Sequence, residues 1–182
     1  MNKLPELLSS ARRFESPADV AAHVGQNVCV SAWALVDQQR IDTFARATGD
    51  FQWIHVDTAR AAAESPYGGT IAHGFLTLSL LGQFYEAFLS YALPFCDMGL
   101  NYGLNRVRFT HPVRSGSRVR CRLQLNKVED VQHGLQITFG VTIEIEGEQR
   151  PACVAESVVR RLFALADATL PLQCVAHNRV TN

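Results

Sequence analysis

Arg118-Val119-Arg120-Cys121-Arg122-Leu123-Gln124-Leu125-Asn126-Lys127 alternates polar and apolar residues almost throughout. Val119, Cys121, Leu123 and Leu125 fall on one side, and Arg118, Arg120, Arg122 and Gln124 on the other. Period two over ten residues predicts an antiparallel strand with one face on a core and the other in water. Residues 135–145 repeat the pattern, with Leu135, Ile137, Phe139, Val141, Ile143 and Ile145 inward, and Gly134 and Gly147 mark the turns. Residues 101–109 and 152–163 complete four long strands. Upstream, residues 73–91 read as a helix that is apolar around most of its circumference and closed by Pro94. A helix enclosed by a sheet has that pattern.

Farther towards the N-terminus the elements are shorter. Ser16 is placed to cap a helix with Pro17 at its first position, and Gly25 ends it. A strand is expected over 28–35. A helix follows over 37–47 with Gly49 at its C-terminus, then another over 58–63 with Asp57 as N-cap. One long helix against one antiparallel sheet is an α+β layer solution. With the first strand added, the sheet curls around the helix, which is the hot-dog architecture. Its uncovered face is expected to meet a second copy, giving a homodimer. Residues 1–12 read as a short leader, helical or frayed, 13–165 as the domain, and 166–182 as a tail without a motif.

The 182 residues are 47% hydrophobic and 19% charged, a globular composition with room for a substantial core. Seventeen basic and seventeen acidic residues cancel, which removes the electrostatic footprint of a nucleic-acid or anionic-membrane binder. Arg106, Arg108, Arg114, Arg118, Arg120 and Arg122 cluster, and the simpler reading is a solvated strand face. Five cysteines, an odd number with no Cys-x-x-Cys pair, argue against a disulfide framework or a zinc site. The N-terminus lacks the apolar core of a secretory signal. The apolar stretch 74–96 is interrupted by Gln83, Glu86 and Ser90, so it is read as a buried helix and not a span. A soluble, cytoplasmic protein is expected.

The chemistry concentrates in Gly49-Asp50-Phe51-Gln52-Trp53-Ile54-His55, taken as a loop between two helix ends. A carboxylate and an imidazole brought together there can share and polarise a water, with Phe51, Trp53 and Ile54 as apolar cover. A capping aspartate beside a half-buried histidine is the plain structural alternative. Thr70-Ile71-Ala72-His73-Gly74-Phe75 opens the long helix, whose first N–H groups lack intrahelical acceptors. A glycine there lets a ligand oxygen approach, and the Gly74 N–H would stabilise an enolate-like oxygen. A simple helix start is again the alternative.

Together, residues 47–57 and 71–75 resemble the MaoC-like dehydratases, which include the (R)-specific enoyl-CoA hydratases, or hydratase 2. Arg13-Phe14-Glu15-Ser16, residues 101–109 and residues 151–157 are similar to the branch containing nodulation protein N. The resemblance implies that Asp50 and His55 hold the catalytic water and that the Gly74 N–H contacts the thioester oxygen. It implies syn hydration of a trans-2-enoyl-CoA to the (R)-3-hydroxyacyl-CoA, reversible, without metal or any cofactor beyond the coenzyme A carried by the substrate. His73 is expected in substrate binding, and Asn101, Tyr102, Asn105 and Arg106 are candidates for lining the pocket or meeting the coenzyme A phosphates. The chain departs from the family pattern in two places. Gln52-Trp53 stands where many hydratases carry Asn-Pro, and Gly82 stands where some carry a serine, with Ser79 one turn earlier as a substitute.

Two rival readings stay open at this level. Hot-dog folds also host acyl-CoA thioesterases, and fold does not decide function. A non-catalytic acyl-CoA-binding subunit is the second.

Overall fold

In a computed structural model, which describes residues 6–163, the chain begins with β1 (Leu8–Ala11), α1 (Pro17–Ala22), β2 (Asn27–Ser31) and β3 (Ala34–Val36). The helices α2 (Gln38–Thr48), α3 (Trp53–Val56), α4 (Thr58–Glu64), α5 (Gly74–Ser79) and α6 (Leu81–Ala92) follow. Four long strands end it: β4 (Cys96–Phe109), β5 (Ser117–Val131), β6 (Gly134–Ile145) and β7 (Cys153–Phe163). The strands form one antiparallel sheet in the order β1-β2-β5-β6-β7-β4, with β3 also pairing β5. The predicted tail 166–182 lies outside the described residues.

The alternating stretches behave as their periodicity dictates. Val119, Cys121, Leu123 and Leu125 are buried with Leu135, Ile137, Phe139, Val141, Ile143 and Ile145, against Phe84, Phe88 and Leu89 of α6. The arginines face out and pair across strands, Arg118 with Glu146 and both Arg120 and Arg122 with Glu144, while Arg120 also covers the Trp33 ring. That is the solvated face expected of them. Cys29, Cys96, Cys121 and Cys153 are buried and free, so they act as small hydrophobes.

Several boundaries differ from the sequence reading, and β4 alone begins five residues earlier than expected. Part of the leader is strand β1, which pairs with β2 and buries Leu8. The strand expected over 28–35 is broken in two. Buried Ser31 ends β2, and its hydroxyl accepts from the Cys121 N–H at 2.9 Å while donating to the Ala32 carbonyl. One side chain thus replaces a ladder bond that the sequence pattern cannot see. The long helix starts one residue late and is interrupted at Leu80 between α5 and α6. Finally, Gly134 opens β6 instead of sitting in the turn, because the Arg161 main chain lies where its Cβ would be; His133, at φ 61°, turns the chain.

Candidate active site

Asp37 caps α2 by accepting from the Arg40 N–H at 2.9 Å, and Gly49 closes the helix in the left-handed conformation at φ 77°. That sharp exit delivers Asp50 to the next bend, where its Oδ1 accepts from the Gln52 N–H at 3.3 Å. His55 is not on the loop with it. It rides the single turn α3, held by His55 N–H to Gln52 O at 2.9 Å. Four residues are too few for hydrophobic periodicity to register.

The His55 ring is oriented from outside its own element. Its Nδ1 lies 2.7 Å from the Ile71 carbonyl oxygen. A carbonyl only accepts, so Nδ1 carries the proton and Nε2 keeps its lone pair. Burial lowers the pKa of this histidine, the Ile71 hydrogen bond and the Asp50 charge oppose that, and neighbouring His73 lowers it further. His55 is therefore neutral at neutral pH.

A small frame sets this geometry. The Ile71 N–H donates to Ile54 O at 3.0 Å. Gln38 of α2 donates through Nε2 to the His55 main-chain oxygen at 2.7 Å and to Asp42 at 2.8 Å, while its Oε1 accepts from the Thr70 hydroxyl at 2.5 Å. One side chain thus grips both the His55 backbone and the segment that orients its ring.

His73 completes the cluster. Its Nε2–H donates to the Asp50 main-chain oxygen at 3.0 Å, and its ring stacks on His55 with centroids 3.8 Å apart and planes 27° from parallel. Its Nδ1 is buried without a partner. Asp50, His55 and His73 each offer one atom within 4.8 Å of the others. Face-to-face rings hold their in-plane lone pairs side by side instead of converging on one ion, so the trio does not match a tetrahedral metal centre.

A cavity of about 300 Å³ opens onto this cluster, lined by His55, Gly74, Thr77, Phe109 and His111 among others. Gly74 begins α5, where a helix N–H has no intrahelical acceptor. The Phe109 ring lies only 2.8 Å from where a Gly74 Cβ would stand, so any side chain there must displace that ring.

Residues 19–146 match the family described as the MaoC like domain. The chain belongs to the MaoC-like dehydratase family. That places it among the hydro-lyases. It is 51% identical over 150 residues to the 3-hydroxyacyl-thioester dehydratase Z of Mycobacterium tuberculosis, covering 82% of this chain and 97% of that protein. It is 52% identical over 141 residues to nodulation protein N of Rhizobium leguminosarum bv. viciae, covering 77% and 87%. Among solved structures, the (R)-hydratase from A. caviae involved in PHA biosynthesis superposes with a TM-score of 0.60 at 25% identity, over 75% of this chain and 94% of that one. The hot-dog fold is therefore shared.

Within this MaoC-like chain the other sequence candidates lie elsewhere. Asn101, Tyr102, Asn105 and Arg106 sit on β4 and are exposed. Tyr102 lies under the Arg160 guanidinium at 3.6 Å, and Asn105 donates to Glu156. Asn101 and Tyr102 line a second groove of about 360 Å³ that does not include His55. Ser79, expected to stand in near the dyad, also lines that groove and donates to Leu76 O at 2.8 Å. His111 also lines the first cavity. Gln38, Thr70 and His111 went unseen because each looks like an ordinary polar residue until the fold brings distant segments together.

Proposed function

We propose that this protein is an (R)-specific enoyl-CoA hydratase, adding water reversibly to a trans-2-enoyl-CoA to give the (R)-3-hydroxyacyl-CoA. The observation that carries the reading is the His55 ring. With Nδ1–H spent on Ile71 O, the Nε2 lone pair is left free, a ring nitrogen of His55 lies within 4.8 Å of an Asp50 carboxylate oxygen, and the ring lines a cavity that also reaches Gly74. The dehydratase and hydratase names of the relatives support the same class of reaction.

In this mechanism His55 Nε2 accepts a proton from a water that Asp50 orients through a second hydrogen bond. The water oxygen bonds to C3, and the C2=C3 electron pair moves onto the thioester oxygen, which the Gly74 N–H stabilises. The enolate then takes up at C2 the proton that left the water, which completes syn addition. His73 holds the Asp50 backbone and stacks on the base, so its part is positioning. No cofactor is required beyond the coenzyme A of the substrate.

The acting unit is proposed to be a homodimer. Among the described residues β4 pairs only with β7, leaving a 14-residue edge on which Met98, Leu100, Tyr102 and Leu104 are exposed. Natural sheets cover such edges.

Ultraviolet absorbance of crotonyl-CoA, with a free-thiol reagent in a parallel cuvette, tests the activity. Loss of the enoyl signal without thiol release, and an (R) product on chiral analysis, is the expected result. Thiol release would make the protein a thioesterase, and neither signal a binding subunit.

A further inference from the structure

Arg161 of β7 is only 7% exposed, yet among the described residues it pairs with no carboxylate. Its Nη2 donates to the Cys96 carbonyl oxygen at 3.2 Å, and its Nε has no partner. The chain makes room for it, since a Cβ at Gly99 would strike the guanidinium. A buried, unpaired charge is costly, and water supplies hydrogen bonds without cancelling it. The guanidinium borders a cavity of about 110 Å³ between α6, β4 and β7, with Tyr85 and Asn101 on its wall. The Tyr85 hydroxyl is also buried without a well-formed hydrogen bond, although Ser157 lies beside it. Glu86 is on the rim, exposed and unpaired with Arg161.

This cavity joins the second groove, sharing Gly82, Tyr85 and Asn101 with it. Gly74, Leu78, Tyr85 and Leu89 follow one another at helical spacings of four, seven and four, so they share a face. Leu80 keeps right-handed helical angles at φ −62° and ψ −17°, which carries that face across the break between α5 and α6. Gly74 on the first cavity and Tyr85 beside the buried cation thus stand at two ends of one helix face. At 1.5 Å rise per residue, Gly74 to Tyr85 is ~16 Å.

We propose that the acyl chain follows this helix face from Gly74 and that Arg161, helped by the Tyr85 hydroxyl, binds a carboxylate at its far end. The substrates are then enoyl thioesters whose acyl chain ends in a carboxylate. The placement of the chain rests on the hydratase reading, but the charge requirement of Arg161 does not.

Calorimetric titration with two saturated, unreactive coenzyme A thioesters tests it: a monocarboxylic and a dicarboxylic acyl group of equal length, about fourteen carbons to match the ~16 Å along the helix face. The wild type should bind the carboxylate-ended thioester about tenfold more tightly, as a charge-assisted pair in a dry site provides. Arg161→Gln should erase that preference. Tyr85→Phe, a gentler change that retains the ring, should reduce it to a few-fold even if Arg161→Gln fails to fold. Equal affinities in the wild type, or a preference untouched by these substitutions, overturns the proposal. Conversion of a dimer to a monomer by Arg161→Gln, with both thioesters bound alike, assigns the anion to a second copy and also overturns it. Because no turnover is needed, the two readings fail separately. Preference without crotonyl-CoA hydration sinks only the hydratase assignment, whereas hydration without preference sinks only the carboxylate.

Discussion

At the residue scale, Asp50 and His55 differ in what they owe to the fold. Asp50 is 55% exposed at its side chain, so Asp50→Asn should leave the thermal midpoint nearly unchanged. It should lower crotonyl-CoA turnover by roughly 10²- to 10⁴-fold, the worth of a positioned acid or base. If both residues act on one water as proposed, Asp50→Asn combined with His55→Ala should be little slower than the worse single variant. Additive losses in that cycle would mean separate steps. Burial holds the His55 pKa below its ordinary 6.5, so the acid limb of kcat/KM should fall below pH 6.5 in a pH–rate profile. Stability moves the same way. As pH drops below 6.5 the unfolded chain binds a proton that folded His55 still refuses, and its contribution, complete above 6.5, is lost as pH falls through the folded value. A limb at or above 6.5 would mean that Asp50 dominates burial. Gly74→Val must push aside the Phe109 ring, which is 45% exposed and free to move. Overpacking there should cost about 1–3 kcal/mol, against an activity loss on the order of 10²–10³ if the N–H is the oxyanion donor. Wild-type hydration in that variant would reduce Gly74 to a helix start.

At the scale of elements, the site is a joint between α2, α3 and the segment leading into α5. Gln38 closes it, since its amide bridges the His55 carbonyl and the Thr70 hydroxyl. Gln38→Met keeps the volume but strands both groups, at a cost of about 1–3 kcal/mol. With the base's backbone loosened, kcat should fall roughly tenfold while KM moves little, because misplacement of a reacting group is felt in the chemical step. Measuring kcat, KM and the thermal midpoint together separates the possibilities. A lower midpoint with unchanged kcat would leave Gln38 a structural residue only. The capping residues Ser16 and Asp57 were legible because a cap acts within three residues of itself, whereas Asp37, read as the first helical residue, is the cap of α2. The split between β2 and β3 was not, since Ser31 reaches across to Cys121.

On the scale of the whole molecule, the β4 edge, which has no second strand partner among the described residues, is the surface on which the proposed dimer is tested. Wild-type protein should sediment as a dimer. Leu100→Asp combined with Leu104→Asp places two charges on that apolar edge and should shift the species to monomer. A wild type that is already monomeric at micromolar concentration would mean that something else covers β4.

The sequence by itself determined the sheet faces, the enclosed helix, the caps and the residue types of the site. These follow from periodicity and from hydrogen bonds that span a few residues, and Val119, Leu123 and Ile137 are buried as the alternation requires. It also placed the Asp50-to-His55 stretch and the Gly74 helix start, through their resemblance to the MaoC-like dehydratases. Only the tertiary structure decided which His55 nitrogen is free, that His73 stacks on it, and that Gln38 locks the two together. It also decided that Arg161 is buried with no carboxylate partner among the described residues. Each of these depends on partners 16 to 65 residues apart. Such contacts are set by how the sheet curls around the helix, and no local pattern along the chain encodes them.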